Sequence, residues 1–137
     1  MTARINLTGE PIGLDALRAV VRGAVELEIA PDTERRIEAA HHLVGRLLTE
    51  DAPVYGLNTG FGSLAQTRIE RERLGDLQRN LVLSHAAGVG PALSDAVVRT
   101  VLVLKLVSLA RGHSGVRPTC HRVSRQAPMT CGWQRTE

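Results

Sequence analysis

At 137 residues, with 17 basic and 14 acidic side chains and a net charge of +3, the chain is one domain's worth of sequence with a modest core. Hydrophobic residues make up 43%, yet the aromatics are only Tyr55, Phe61 and Trp133, so the core must be aliphatic. No basic stripe interleaves with aromatics, no charged start precedes an apolar run, and the most apolar stretch, residues 96–110, is broken by Arg99 and Lys105. These features argue against nucleic-acid binding, a signal peptide and a membrane span, and leave the cytoplasm as the default.

Ile5-Asn6-Leu7-Thr8 alternates apolar and polar and reads as a short strand, followed by a turn over 9–13. Leu14, Leu17, Val20 and Val21 recur at helical spacing and predict a short amphipathic helix over 14–22. Residues 25–29 alternate again, as a second short strand. Pro31-Asp32-Thr33 offers a helix start with Asp32 or Thr33 as cap. Ile37, Ala40, Leu43, Val44, Leu47 and Leu48 then form one stripe, which predicts a helix from about 33 to 49. Residues 51–67 carry glycines and no helical period. A third helix over 71–87 sets Leu74, Leu77, Leu81 and Ser84 on one line. Gly88-Val89-Gly90-Pro91 is expected to end it, glycine as the left-handed cap and proline because it cannot continue. Ser94 is the expected cap of a fourth helix running to about 111, with Asp95 near its positive end.

That fourth helix is apolar nearly all round, through Val97, Val98, Val101, Leu102, Val103 and onward to Leu109. It needs partners on several sides, which points to more chain or other subunits. The expected fold is mainly α, with one or two short strands near the amino terminus. From Thr119 the character changes. The last 19 residues hold Cys120, Cys131, Trp133 and three arginines against one glutamate, which is +2 of the net charge. They show neither helical nor strand period and read as an aberrant, disordered tail, frameshifted or misassigned, so the domain is expected over 1–118. The two cysteines match no metal-ligand spacing, and in a reducing compartment they stay unpaired.

Two segments carry the chemistry. Val54-Tyr55-Gly56-Leu57-Asn58-Thr59-Gly60-Phe61-Gly62 puts the one tyrosine at the head of a glycine-rich loop. Glycine takes positive φ and lets other groups approach the backbone closely. A free tyrosine titrates near ~10, so it acts as a base only where loop N–H groups or cations stabilise phenolate. Taken alone, Tyr55 reads as a core or turn tyrosine. The glycine spacing is neither a phosphate loop, which needs a following Lys-Ser/Thr pair, nor the dinucleotide fingerprint. The second segment, Asn80-Leu81-Val82-Leu83-Ser84-His85-Ala86-Ala87-Gly88-Val89-Gly90, places Ser84 and His85 near a helix C-terminus, where a histidine also suits the dipole with no ligand. His41 and His42 are adjacent and face different ways, and with His113 and His121 they read as solvated or capping; no metal site is expected. The charged cluster over 68–73 reads as solvated helix surface.

In this order and at this spacing the two segments resemble the amino-terminal part of the aromatic amino acid ammonia-lyases, and within that family the histidine ammonia-lyases. The resemblance covers roughly 5–118, is most specific in 54–62 and 80–90, and is weaker in Arg111-Gly112-His113-Ser114-Gly115-Val116-Arg117. It implies the helical amino-terminal part of an ammonia-lyase-like fold and non-oxidative elimination of ammonia from L-histidine to give urocanate. It implies that Tyr55 is the base taking the β-proton. Gly56, Asn58, Thr59, Gly60, Phe61 and Gly62 would form a flexible active-site lid, and Ser84 and His85 would lie in the pocket that reads the substrate side chain. A Ser-His pair goes with histidine, but tyrosine-acting relatives, aminomutases included, also keep a histidine there. A cytoplasmic homotetramer, with active sites where subunits meet, is implied as well. The family's electrophile is a methylidene-imidazolone formed from an internal Ala-Ser-Gly. No Ala-Ser-Gly occurs here, and His113-Ser114-Gly115, the nearest string, belongs to another part of the motif map. The resemblance therefore implies an amino-terminal portion that is inactive alone. Two readings stand beside it: a non-catalytic helical piece that self-associates, and part of a tyrosine ammonia-lyase or aminomutase.

Overall fold

The computed structural model describes residues 3–50 and 52–118; the expectation of a disordered tail over 119–137 lies outside them. The chain divides into two compact units, residues 3–42 with 92–118, and residues 43–91.

The first unit is built on a strand–helix–strand start: β1 (Ala3–Leu7), α1 (Leu14–Arg22) and β2 (Val25–Ile29). The strands pair in parallel, with Ile5 opposite Leu27 and Leu7 opposite Ile29, an arrangement that needs the α1 crossover. Alternation puts Ile5, Leu7, Leu27 and Ile29 on the buried face. On the other face Arg4 pairs with Glu26 at 3.2 Å and Glu28 at 3.3 Å, and all three are largely exposed, so these pairs add little stability. Val20 of α1, and Val103 of the helix α4 (Asp95–Leu109) with Ala110 just beyond it, complete the core. Each fully buried aliphatic side chain in it contributes roughly 1.5–3 kcal/mol.

The α1 stripe read from the sequence divides. Val20 is fully buried and Leu17 half-buried, but Leu14 and Val21 are 71% and 51% exposed and border a shallow apolar hollow. The buried side is centred on Val20, and Leu14 and Val21 lie at the other margin of the stripe, about 100–120° round the helix from it. Arg99, on α4, donates from Nε to the Val20 carbonyl at 3.0 Å and from Nη2 to the Val21 carbonyl at 3.2 Å. It thereby satisfies two carbonyls of the last α1 turn that lack helical partners, and a cation suits that end of the helix dipole.

The helix α2 (Pro31–Leu47) begins two residues before the expected start. Proline fits the first helical position because its missing N–H would have had no partner there. The Ala30 carbonyl accepts the Glu34 N–H at 3.1 Å, so neither Asp32 nor Thr33 is the cap. Asp32 pairs with Arg35 in the first turn, and Thr33 is fully buried, its hydroxyl accepting from Arg36 Nη2 at 3.1 Å. The same guanidinium donates to the Thr8 carbonyl. The segment after α4 lies against this part of α2. Gly112 has φ +76°, and a Cβ there would stand 2.9 Å from Arg36 Cβ, so both conformation and space demand glycine. His41 Nδ1 lies 3.1 Å from the Gly115 carbonyl and donates to it, so His41 anchors this segment instead of standing in solvent. Ser94 precedes α4 in an extended conformation and its carbonyl accepts the Val98 N–H at 3.0 Å, but its side chain makes no capping bond. The apolar surface of α4 is only partly covered, with Val97, Val101, Leu102 and Leu104 between 44% and 57% exposed.

The second unit starts with the end of α2, where Thr49 closes the helix through its N–H and its hydroxyl, both donated to the Arg46 carbonyl. A loop over 52–70 follows, containing a single 3₁₀ turn at Gly62–Leu64. A second 3₁₀ turn, Arg71–Arg73, leads into α3 (Leu74–His85). Leu74, Leu77 and Leu81 are half-buried as the stripe predicts, while Ser84 is exposed and no residue of α3 is fully buried. The helix ends two residues before Ala87, at an Ala86 with φ −80° whose N–H reaches the Val82 carbonyl. Gly88 is not its cap; the left-handed glycine is Gly90, φ +92°, out in the connection that follows.

Candidate active site

The loop that bears Tyr55 is folded by its own polar side chains. The Val54 carbonyl accepts from Leu57 and Asn58 N–H groups at 3.0 and 3.2 Å, closing a tight turn around Tyr55. Asn58 is 3% exposed; its Oδ1 accepts the Val54 N–H at 2.7 Å and its Nδ2 donates to the Ala52 carbonyl at 3.0 Å. Thr59 is 1% exposed; its hydroxyl donates to the Gly60 carbonyl at 3.1 Å and sits 3.4 Å from the Gly56 N–H, a long contact. The Asn58 carbonyl accepts the Ile69 N–H at 2.8 Å and Gly60 N–H reaches the Thr67 carbonyl at 3.2 Å, so the loop is tied across its neck by an isolated antiparallel bridge, Thr59 with Arg68. Gly56 at φ +72° turns the chain directly after Tyr55. Buried backbone polar groups demand partners, and here side chains supply them where no helix or sheet can.

Tyr55 itself stands out from this frame, 66% exposed, with its ring edge-on to Phe61 at a centroid separation of 5.8 Å and 72° between planes. Its hydroxyl has no hydrogen-bond partner among the described residues. Phe61 in turn lines an open, mostly apolar hollow of about 430 Å³ together with Leu81, Val82 and His85 of α3. The two sequence segments, some twenty residues apart, therefore meet at one cavity: Phe61 and His85 line it, and Tyr55 packs on the Phe61 ring at its side.

His85 is held at one nitrogen. Nδ1 lies 2.8 Å from the Leu81 carbonyl, which can only accept, so Nδ1 carries the hydrogen and neutral His85 presents Nε2 as an acceptor. The Ser84 hydroxyl donates to the same carbonyl at 2.9 Å and lies 3.1 Å from Nδ1. Ser84 thus acts on the histidine's orientation and does not line the hollow. A cavity with three apolar walls and one oriented acceptor suits a planar apolar ring that carries an N–H or O–H.

Of the expected site residues, the structure brings Tyr55, Phe61, Ser84 and His85 together, while Asn58, Thr59 and Gly60 lie buried beneath the loop and shape it from inside. By residue type Val82 carries no sign of a site, and Leu81 reads as part of a packing stripe. The signal for both was their spacing from His85, three and four residues, which puts them on its helix face. A second hollow, of about 340 Å³, is lined by Asn6 and residues 26–31 and holds Glu26 and Glu28, both paired with Arg4. Among the described residues no three His, Cys, Asp or Glu side chains cluster as a metal would require, and no helix is long and apolar enough to cross a membrane.

Residues 12–126 match a family model described as aromatic amino acid lyase. The chain is 52% identical over 115 residues to a histidine ammonia-lyase of Vibrio parahaemolyticus, covering 82% of this chain and 22% of that protein. Its fold is similar to the solved histidine ammonia-lyase from Trypanosoma cruzi, with a TM-score of 0.73 and 36% identity, covering 83% of this chain and 22% of that one. It is similar also to a tyrosine aminomutase from Streptomyces globisporus, with a TM-score of 0.81 and 28% identity, covering 90% and 24%. The chain thus spans about a fifth of the length of the curated relatives it matches.

Proposed function

The chain belongs to the aromatic amino acid lyase family, and on that premise we propose that it is the amino-terminal portion of a histidine ammonia-lyase, contributing the base and part of the side-chain pocket. The observation that carries this reading is the meeting of the tyrosine loop and the Ser84-His85 segment at one hollow. Tyr55 would take a proton from the substrate Cβ; those electrons form the Cα=Cβ bond of urocanate as the amine leaves. His85, with Nε2 open, would accept from the N–H of the substrate imidazole, Ser84 would hold the ring of His85 in place, and Phe61, Leu81 and Val82 would flank the imidazole.

The family's electrophilic prosthetic group comes from Ala-Ser-Gly, and the residues present do not fit it. No such tripeptide occurs, and in His113-Ser114-Gly115 the first position is not alanine while the Gly115 carbonyl is held by His41. We assign that group to chain beyond these residues. Assembly as a homotetramer and a cytoplasmic location belong to the same proposal.

Identity to solved structures favours histidine over tyrosine as substrate, 36% to a histidine ammonia-lyase against 28% to a tyrosine aminomutase. The purified 137-residue chain is expected to form no urocanate from L-histidine, and measurable product would overturn the assignment of the electrophile to other residues. In a chain extended to the relatives' length, Tyr55→Phe is expected to lower kcat by about 10²–10⁴-fold, the range of a positioned base. Unchanged kcat would remove Tyr55 from that role.

A further inference from the structure

We propose that Asn58 is the positioning residue for Tyr55: its carboxamide clamps the backbone just ahead of the tyrosine and so holds the phenol ring against Phe61 without a ligand. Four groups of Asn58 are engaged at once. Oδ1 accepts from Val54 at 2.7 Å, Nδ2 donates to Ala52 at 3.0 Å, the main-chain N–H donates to the Val54 carbonyl at 3.2 Å, and the main-chain carbonyl accepts from Ile69 at 2.8 Å. The side chain therefore bridges two residues that precede Tyr55, and the backbone ties that bridge to the far strand of the loop. At 3% exposure neither carboxamide bond competes with water, and loss of either leaves a buried polar group without a partner. Tyr55 makes no polar contact of its own among the described residues, so its place depends on the backbone that carries it and on the edge of Phe61.

A carboxamide is required because the two partners are opposite in kind: an N–H at Val54, a carbonyl at Ala52. A carboxylate accepts from the first and repels the second. A carboxylic acid satisfies both. The clamp is thus a preorganised mount, which spares the reaction the cost of arranging its base. Its catalytic meaning rests on the reading of Tyr55 as base; its geometry does not.

The chain holds one tyrosine and one phenylalanine, so a nuclear Overhauser contact between their rings in the 137-residue protein is unambiguous. The parent is expected to show it. Asn58→Leu is expected to abolish it and shift the Tyr55 ring resonances while the amide resonances of β1, α1 and α4 stay in place. Persistence of the contact with parent-like shifts would overturn the proposal. Asn58→Asp covers the case in which the leucine variant fails to fold. The contact is expected at acid pH, where the introduced carboxyl keeps its proton and donates to Ala52. It is then lost reversibly as pH rises through that carboxyl's titration, with first-unit amides and the parent unchanged over the same range. A contact present, or absent, at every pH would overturn the clamp. Urocanate formation is read separately, so failure of the lyase reading leaves this test intact.

Discussion

The two units hold themselves together by different means. The first buries aliphatic side chains from two strands and two helices, with Val20, Val103 and Ala110 at 0% exposure. In the second, α3 buries no residue fully, and among the described residues the buried side chains are those of Asn58 and Thr59, fixed by hydrogen bonds to nearby backbone. Apolar burial is non-directional and tolerates small shifts, whereas a network of side-chain to backbone bonds fixes one geometry and fails in steps. The unit that carries the candidate chemistry is the one whose order is specified by hydrogen-bond direction. Its exposed apolar residues, Val82 at 68% and Leu83 at 60%, leave it few nonpolar contacts to fall back on.

Perturbations that act on packing should therefore separate the units. Leu27→Ala removes a 4%-exposed core side chain and is expected to cost roughly 2–5 kcal/mol in urea unfolding followed by first-unit amides; a cost under about 1 kcal/mol would mean that this core is loose. Gly112→Ala should cost about 2 kcal/mol in the same assay, since it combines a left-handed φ with a Cβ 2.9 Å from Arg36. Arg99→Met keeps the aliphatic stem and deletes the bonds to Val20 and Val21; about 1 kcal/mol is expected, with faster hydrogen exchange confined to the last turn of α1. Exchange unchanged there would show the cap to be idle. The smallest effect is expected for Leu81→Ala, about 1 kcal/mol or less, although the chemical change equals that at Leu27, because Leu81 is only half-buried. Equal costs at the two leucines would erase the contrast between the units.

Most elements were legible in the residues. Period-two alternation located both strands, and the 3.6-residue stripe located α1 and, within two or three residues at each end, the other helices. Periodicity carries no information on partners, so it could not show that β1 and β2 pair directly, nor that Val21 and Leu14 would face outward while Val20 faced in. Terminal details failed for the same reason. Ser94 has a capping side chain by type yet makes no such bond, while Arg99, unremarkable inside an apolar helix, caps a helix 78 residues away. At the candidate site, the loop glycines and the Ser84-His85 pair stood out by residue type. Asn58 and Thr59 did not disclose their roles, because the bonds they make depend on a turn that only the folded loop creates.

The bond from Arg99 to Val20 joins residues 79 apart, and the inner face of the β1–β2 pair is closed by the same helix. On a ribosome adding about 5–20 residues per second, that distance is roughly 4–16 s of synthesis. For most of that interval, from the completion of Ile29 until α4 is made, Ile5, Leu7, Leu27 and Ile29 have no α4 to cover them, although every residue needed to pair the strands has already been made. The nascent chain thus passes through a stage with a complete strand–helix–strand scaffold and a bare apolar face, the kind of surface that holdase chaperones recognise.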